Sequence, residues 1–147
     1  GSSDVGSGMS NGQRILGSVE PWHGNEVVVY TESDGIWNRR VIFDGVTSGH
    51  EVTVVDLNGD GRADIVANDN SRVTTNRPNG TPGVHVFFSP EDPATGEWSY
   101  SRIESEAAMN GCVGGDMNQD GWTDLVCTGG GGFIRWYENL GQQDSPR

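Results

Sequence analysis

Two acidic segments carry the clearest chemistry in this sequence. They span residues 56–64 and 116–124, and both read Asp-x-Asn-x-Asp-Gly-x-x-Asp, at an offset of 60 residues. When such a loop coils tightly, the side-chain oxygens at its positions 1, 3, 5 and 9 face inward, and the carbonyl of position 7 joins them. Calcium takes six to eight hard oxygen donors at about 2.3–2.6 Å. The two segments therefore predict two calcium sites.

Each loop supplies its own set of expected ligands. These are Asp56, Asn58, Asp60, the Arg62 carbonyl and Asp64 in the first loop, and Asp116, Asn118, Asp120, the Trp122 carbonyl and Asp124 in the second. The pattern differs from an EF-hand, which needs Glu at position 12, where this sequence has Ala67 and Cys127. A pair of Asx-rich turns without metal is the alternative. Without an ion the crowded carboxylates repel each other, so we expect a structural ion rather than a catalytic one.

The segments around the loops determine how the loops are positioned. Apolar residues occur in runs of four to six, rich in β-branched and aromatic types, and Gly, Asn, Asp, Pro or Ser separate the runs. This pattern predicts an all-β chain of short antiparallel strands. A helical turn over 104–108 is the only competing element. A repeat of about 50–60 residues built from short strands is typical of propeller blades.

The loops and their flanks resemble the FG-GAP/VCBS repeats of integrin-type β-propellers. Residues 54–66, 114–126 and 136–139 carry this resemblance, which extends over about 14–140. It implies that each loop joins the innermost strand of a blade to the second strand, and that the ten residues above bind calcium. Residues 22–31, 37–41 and His50 are also similar to the propeller part of fungal aldos-2-ulose dehydratases, which implies a lyase acting on sugar derivatives.

The blade order of this family predicts an incomplete propeller. Residues 1–13, rich in Gly and Ser, are expected to form a flexible or extended tail, 14–140 the repeat domain and 141–147 a polar tail. Residues 14–43 would supply strands two to four of one blade, 50–104 a whole blade, and 111–137 strands one to three of another. These add up to about two and a half blades, whereas closed propellers have at least four or so. Open strand edges favour self-association, including an open heterologous array.

Composition excludes several classes of partner. The 147 residues include 21 acids and nine bases, all of them Arg, and the net charge is −12. Such a chain repels nucleic acid and anionic membrane surfaces. No apolar run approaches the 18 or so residues of a transmembrane helix, so we expect no membrane insertion. Calcium loops of moderate affinity fill outside cells, which favours an extracellular or cell-surface location. Cys112 and Cys127 flank the second loop, as a disulfide or as two buried thiols.

A few further residues have two interpretations. His23 and His50 could serve a catalytic or metal site, but packing through hydrogen bonds is the simpler expectation. His85 lies on one face of a strand. Trp122 is expected at an exposed loop position, where it could stack on a sugar. Asn79 begins an Asn-Gly-Thr glycosylation motif.

We therefore expect no catalytic and no organic-cofactor residues. The predicted function is a calcium-stabilised extracellular β-repeat module, non-catalytic, that acts in binding or self-assembly, with a glycan or protein as further candidate ligand. The alternatives are a fragment of a sugar-converting lyase and a lectin-like carbohydrate-binding module.

Overall fold

Three antiparallel sheets make up the described part of the chain. A computed structural model describes residues 1–71 and 79–141. Its strands are β1 (Asp4–Ser10), β2 (Gln13–Glu20), β3 (Glu26–Ser33), β4 (Ile36–Phe43), β5 (Gly49–Val55), β6 (Asp64–Asp69), β7 (Gly83–Phe88), β8 (Ser99–Glu104), β9 (Met109–Gly115), β10 (Asp124–Gly129) and β11 (Ile134–Tyr137). No helix occurs in these residues, so the helical turn over 104–108, the competing interpretation of that segment, is not formed.

Each sheet is a meander of neighbouring strands. Their orders are β1-β2-β3-β4, β5-β6-β7-β8 and β11-β10-β9, and we call these sheets blade 1, blade 2 and blade 3. None closes into a barrel. The prediction of an all-β, antiparallel, blade-like architecture that is incomplete as a propeller is confirmed.

The first blade has one strand more than the sequence suggested. Residues 4–10 of the expected tail pair along their whole length with β2, so this segment is extended and belongs to the sheet. The high glycine content of β1 suggested a tail, but two of its glycines lie where the strand contacts blade 2. A Cβ atom on Gly6 would lie 2.8 Å from the Val54 side chain, and one on Gly8 would overlap that of Ala63. The missing side chains thus allow blade 2 to approach the strand closely.

The other two blades follow the expected boundaries. Blade 2 is complete with four strands, and blade 3 has three strands within the described residues. Of the polar tail predicted over 141–147, only Gly141 lies within those residues.

Two apolar cores lie between successive blades. The first joins blades 1 and 2 through Ile15, Val19, Val27, Val29, Val52, Ile65, Ala67, Phe87 and Trp98. The second joins blades 2 and 3 through Leu57, Val66, Val84, Val86, Met109, Cys112, Leu125 and Cys127. Full burial of each large apolar side chain contributes about 1.5–3 kcal/mol. Face-to-face packing of blades is therefore the main source of cohesion and fixes the hairpins that carry the loops.

Candidate metal centre

The two acidic loops occupy equivalent places in blades 2 and 3. Loop A (residues 56–64) joins β5 to β6, and loop B (residues 116–124) joins β9 to β10. The first strand of blade 2 packs against β1 and β2 on one side and against β9 on the other, so β5 lies at the inner side of the blade stack. The structure thus places each loop between the first and second strands of its blade.

Loop A is organised by carboxylates that accept hydrogen bonds from its own backbone. Asp56 Oδ1 accepts from the amide of Gly59 at 2.8 Å, and Asp56 Oδ2 accepts from Gly61 at 2.8 Å. Asp60 Oδ1 accepts from the Arg62 amide at 2.9 Å, and Asn58 Oδ1 accepts from the Asp60 amide at 3.1 Å. Three oxygen-bearing side chains are thereby held over a single turn.

Loop B repeats three of these bonds, and a fourth matches the additional bond from the Asp60 amide to Asp56 Oδ1 at 3.3 Å in loop A. Asp116 Oδ1 and Oδ2 accept from the amides of Asp120 and Gly121 at 3.1 and 2.9 Å. Asp120 Oδ1 accepts from the Trp122 amide at 2.9 Å, and Asn118 Oδ1 accepts from the Asp120 amide at 3.2 Å. Gly61 and Gly121 have φ of 80° and 90°, a conformation that L side chains rarely adopt. The two sequences therefore fold into the same turn.

The ninth-position aspartates are buried and connect each loop to the next part of its blade. Asp64 accepts from the Leu57 amide at 2.9 Å and from the Ser89 amide, after β7, at 2.8 Å. Asp124 accepts from the amides of Met117 and Asn139, the latter after β11, at 3.0 and 2.8 Å. Both side chains have no exposed surface. These carboxylates close the loop at its base.

The electrostatic environments of the two buried aspartates differ. Burial raises the pKa of Asp64 to about 6, against the lowering effect of its two amide donors, and the charges of Asp60 and Asp56 add to the increase. At Asp124 the hydrogen bond from the Asn139 amide lowers the pKa instead. The charged form of the ninth-position carboxylate is thus disfavoured in loop A and favoured in loop B.

The seventh position and a neighbouring acid make the loops unequal. In loop A the Arg62 guanidinium forms an ion pair with Asp60. In loop B the seventh residue is Trp122, and Glu138 Oε1 accepts a hydrogen bond from Asn118 Nδ2 at 3.0 Å. Loop A is therefore partly neutralised by its own cation, whereas loop B has an additional carboxylate that the repeat pattern did not identify.

The donor set fits a hard divalent cation by its chemistry. Each loop supplies three carboxylates, one amide oxygen and backbone carbonyls, which are the ligand types that calcium prefers. No group of three or more His, Cys, Asp or Glu side chains arranged to hold a metal was found in residues 1–71 and 79–141. In both loops the carboxylates accept hydrogen bonds from backbone amides. Calcium binding at the ten predicted residues stays a prediction.

Trp122 is half-buried, contrary to the expectation of an exposed loop position. Its indole lies beside loop A, so a Cβ atom on Gly59 would come within 3.0 Å of the ring, and it also packs against Gly141. The ring lines a groove of about 560 Å³ between blades 2 and 3, together with Phe88 and Tyr137. Trp122 therefore connects the two loops rather than projecting into solvent.

Asn139 also connects the loops, and sequence reasoning missed this role. Its side-chain Nδ2 donates to the carbonyl of Leu57 in loop A at 2.7 Å and to the carbonyl of Thr123 in loop B at 3.1 Å. The sequence had identified Asn139 only as part of a strand ending. Its contact with the other loop depends on how the blades pack, which no local pattern reveals.

The histidines all have hydrogen-bonding partners. His50 Nδ1 lies 2.7 Å from the carbonyl oxygen of Asn110, and His23 Nδ1 lies 3.5 Å from Ser48 Oγ. The rings of His23 and His50 are 5.2 Å apart, near the start of β5 and therefore away from loop A. His85 is buried in β7, with its two ring nitrogens 3.0 Å from Tyr100 Oη and from the Thr81 carbonyl oxygen. These contacts give each ring a packing role.

The glycosylation motif begins at an exposed asparagine and ends at a threonine whose hydroxyl is hydrogen-bonded. Asn79 is exposed. Thr81 donates from its hydroxyl to Asp69 Oδ2 at 2.6 Å. Glycosylation of Asn79 stays a prediction.

The two cysteines form a disulfide across the hairpin that carries loop B. Cys112 in β9 lies directly opposite Cys127 in β10, with 4.0 Å between their Cα atoms. Of the two alternatives left open by the sequence, the disulfide is the one observed. It locks the strands on both sides of loop B.

Comparison with known proteins supports the repeat assignment for part of the chain. Residues 48–75 match the family model of the FG-GAP repeat, which confirms the predicted FG-GAP resemblance for the segment containing β5, loop A and β6. No curated protein matches the chain. Among the described residues, no helix is long and apolar enough to cross a membrane.

Proposed function

We propose that this protein is a calcium-stabilised β-repeat module that acts in binding or self-assembly and not in catalysis. The observation that carries the proposal is the duplicated loop, with the same backbone hydrogen bonds around Asp56 and Asp60 as around Asp116 and Asp120. Two copies of one oxygen-rich turn are better explained by a common ligand than by chance.

The bound ion would supply positive charge that offsets the crowded carboxylates of each turn. In loop A, Asp56, Asn58, Asp60, the Arg62 carbonyl and Asp64 would hold it. In loop B, Asp116, Asn118, Asp120, the Trp122 carbonyl and Asp124 would do so. Each fifth ligand also accepts an amide hydrogen bond from a residue after the third strand of its blade. Stiffening of the loop is therefore expected to stiffen the blade.

The loops also contact their neighbours, so calcium would stabilise junctions between blades. The Ala63 amide of loop A donates to the carbonyl of Met9 in β1 at 2.8 Å. Loop A is connected to loop B through Asn139 and through the ring of Trp122. We expect removal of calcium to loosen the stack of blades as well as the two hairpins.

An extracellular or cell-surface location accords with these features. A disulfide persists in oxidising compartments, and this chain has one between Cys112 and Cys127. Loops of micromolar or weaker affinity fill at extracellular calcium levels and remain largely empty in cytosol. Both arguments favour the outside of the cell.

Self-association is the binding activity that the fold favours. In the described residues, β11 pairs only with β10, so blade 3 ends in an open strand edge. Unpaired edges accept strands from other chains. A protein or glycan ligand remains the alternative occupant.

The test is thermal unfolding in calcium, in magnesium and in chelator, combined with light scattering. We expect calcium alone to raise the melting temperature by several degrees, and the double variant Asp60→Asn/Asp120→Asn to lose this response. Light scattering should give a mass above that of one chain in calcium. Equal melting temperatures in calcium and chelator would reject calcium stabilisation, and a monomeric mass would reject self-association.

A lectin-like function is the second candidate, and the groove between blades 2 and 3 favours it. The groove of about 560 Å³ offers Trp122, Tyr137 and Phe88 as aromatic surfaces beside the polar side chains of Asn58 and Glu138. This combination suits stacking on a sugar ring. Quenching or shift of tryptophan fluorescence by an oligosaccharide panel, lost in Trp122→Leu, would support this function; no change with any sugar would reject it.

A further inference from the structure

One face of blade 3 is uncovered at positions that are buried in blade 2. The strand registers align the blades residue by residue, because Val66 pairs with Thr53 and Val86 just as Val126 pairs with Val113 and Trp136. Likewise Val84 pairs with Asn68 as Ile134 pairs with Thr128. Four positions of blade 2 thus have equivalents in blade 3, and the exposure of their side chains can be compared. The equivalent pairs are Thr53 and Val113, Val66 and Val126, Val84 and Ile134, and Val86 and Trp136.

These equivalent places differ sharply in exposure. In blade 2, Val66 and Val84 are 0% exposed and Val86 is 2% exposed, because blade 3 covers them. In blade 3, Val113, Ile134 and Trp136 are 65%, 73% and 51% exposed. Thr53, the partner of Val66, donates from its hydroxyl to the Cys112 carbonyl of blade 3 at 2.5 Å, so this face points at the next blade. We call the uncovered set, Val113, Val126, Ile134 and Trp136, the leading face.

The opposite end of the stack also has exposed apolar residues on its outer face, around a buried centre. Gly6 and Gly8 of β1 turn toward blade 2, so the alternating residues Val5 and Met9 turn away from it. Val5 and Met9 are 59% and 50% exposed. Val5 begins a cross-strand row that runs through Ser18 and Val28 to Val41. We call the exposed residues Val5, Met9 and Val41 the trailing face; Ser18 and Val28, which lie between Val5 and Val41 in this row, are 1% and 0% exposed.

We propose that the leading face of one copy docks on the trailing face of a second copy, and this inference rests on the proposed self-association. The chain already packs blade on blade twice, through two apolar cores built in the same manner. The rows Val113–Val126–Trp136 and Val5–Ser18–Val28–Val41 contain no charged residue, as befits the centre of an interface. A second copy would thus continue the stack through its blade 1.

Such an interface is heterologous, because two different surfaces meet. Repetition closes a ring if the rotation between copies allows it and otherwise extends into a filament. Pairing of β11 edges is not required, since adjacent blades touch by their faces. The leading and trailing faces, rather than the strand edges, would determine specificity.

The test uses two variants with one blocked face each, in calcium. Val5→Glu blocks the trailing face and Ile134→Glu blocks the leading face; both side chains are exposed, so the folded monomer should tolerate them. Ile36→Glu, at the exposed turn between β3 and β4, is the matched control. Thermal unfolding at low concentration checks that all three remain folded.

We expect each blocked variant alone to be monomeric, with self-association weakened at least about tenfold, while Ile36→Glu assembles as the unmodified chain does. An equimolar mixture of the two blocked variants should form a complex of two chains, because each contributes the face that the other lacks. Assembly of Val5→Glu alone would indicate a symmetric contact between leading faces and would overturn the inference. Unchanged assembly of both variants would point to strand edges and overturn it too. An unmodified chain that never assembles would reject the proposed self-association itself.

Discussion

Val84 and Ile134 occupy equivalent positions in blades 2 and 3, yet Val84 is fully buried and Ile134 is 73% exposed. Their difference arises from the presence or absence of a next blade along the stack. Blade 3 covers Val84, whereas nothing among the described residues covers Ile134. Val84 therefore represents a position that contributes to the core of the fold, and Ile134 represents the equivalent position that is free to contact a partner.

A glutamate substituted at each of these two positions should have opposite effects. Val84→Glu places an unpaired carboxylate in the core between blades 2 and 3, and we expect a loss of roughly 3–5 kcal/mol in the free energy of unfolding. Ile134→Glu should change that free energy by less than about 0.5 kcal/mol, as is usual for surface sites. Urea unfolding of the monomer measures both. Equal losses would mean that the two positions are equally covered.

Arg62 should weaken calcium binding in loop A. Its guanidinium pairs with Asp60, a predicted ligand, and loop B has no such cation. Arg62→Gln should raise the affinity of loop A about fivefold, corresponding to about 1 kcal/mol for a charge near a solvated site. Titration in an Asp120→Asn background isolates loop A, and Arg14→Gln, at an exposed arginine in blade 1, is the control. An unchanged or lower affinity would show that Arg62 does not compete with the ion.

The fourth loop position offers a paired test of backbone strain. Gln119 has φ of 64°, and its counterpart Gly59 has φ of 72°. Gln119→Gly should stabilise the protein by about 0.5–1 kcal/mol, because glycine adopts this conformation without the steric cost of a side chain. Gly59→Ala should destabilise it by at least about 1 kcal/mol, since the new methyl group would also approach Trp122. Chemical unfolding in chelator measures both, and changes of the same sign would contradict the shared turn.

The disulfide should contribute substantially to the stability of blade 3. Cys112 and Cys127 are 15 residues apart in sequence, and a cross-link of this span is worth about 3 kcal/mol. Cys112→Ala/Cys127→Ala should lose about this amount and become insensitive to reductant. Unfolding with and without dithiothreitol is the measurement. Alkylation of the untreated, denatured chain by iodoacetamide would show that the thiols are free.

Glu104 should make the contact between blades 2 and 3 sensitive to acid. Burial raises the pKa of this carboxyl, but amide donors at Glu106 and Ala107, the Tyr137 hydroxyl and the Arg135 guanidinium outweigh burial and hold the pKa at about 2. The ordinary value is near 4.5. Because the folded pKa is the lower one, this stabilisation is complete above about pH 4.5 and disappears as the pH falls toward 2.

The measurement for Glu104 is urea unfolding from pH 6 to pH 2. The stability difference between the unmodified chain and Glu104→Gln should shrink over the window from 4.5 to 2. Glu97→Gln, at an exposed glutamate, is the matched control and should track the unmodified chain. A difference that stays constant across the window would contradict the assigned pKa.

The loops and most strands could be predicted because their signals are local. The period from Asp56 to Asp116 and the β-branched runs around it are visible in the sequence alone. Strand β1 could not be recognised, because its glycines serve contact with Val54 and Ala63, and such contacts depend on how blades pack. In isolation the same composition is typical of a tail.

The surroundings of the loops were less predictable than the loops themselves. Trp122 was expected to be exposed because of its loop position, but the neighbouring blade brings loop A against its ring. Glu138 and Asn139 directly follow β11, where Glu138 contacts Asn118 of loop B and Asn139 contacts Leu57 of loop A, which is distant in the sequence. Tertiary packing thus determined every feature that the repeat pattern missed.

Calcium titration of the full chain by isothermal calorimetry tests the central claim most directly. The account predicts two ions bound per chain, one in Asp60→Asn or Asp120→Asn, and none in the double variant, while magnesium gives much weaker binding. Absence of calcium binding by the folded, unmodified chain would contradict the account and leave the two loops as hydrogen-bonded turns.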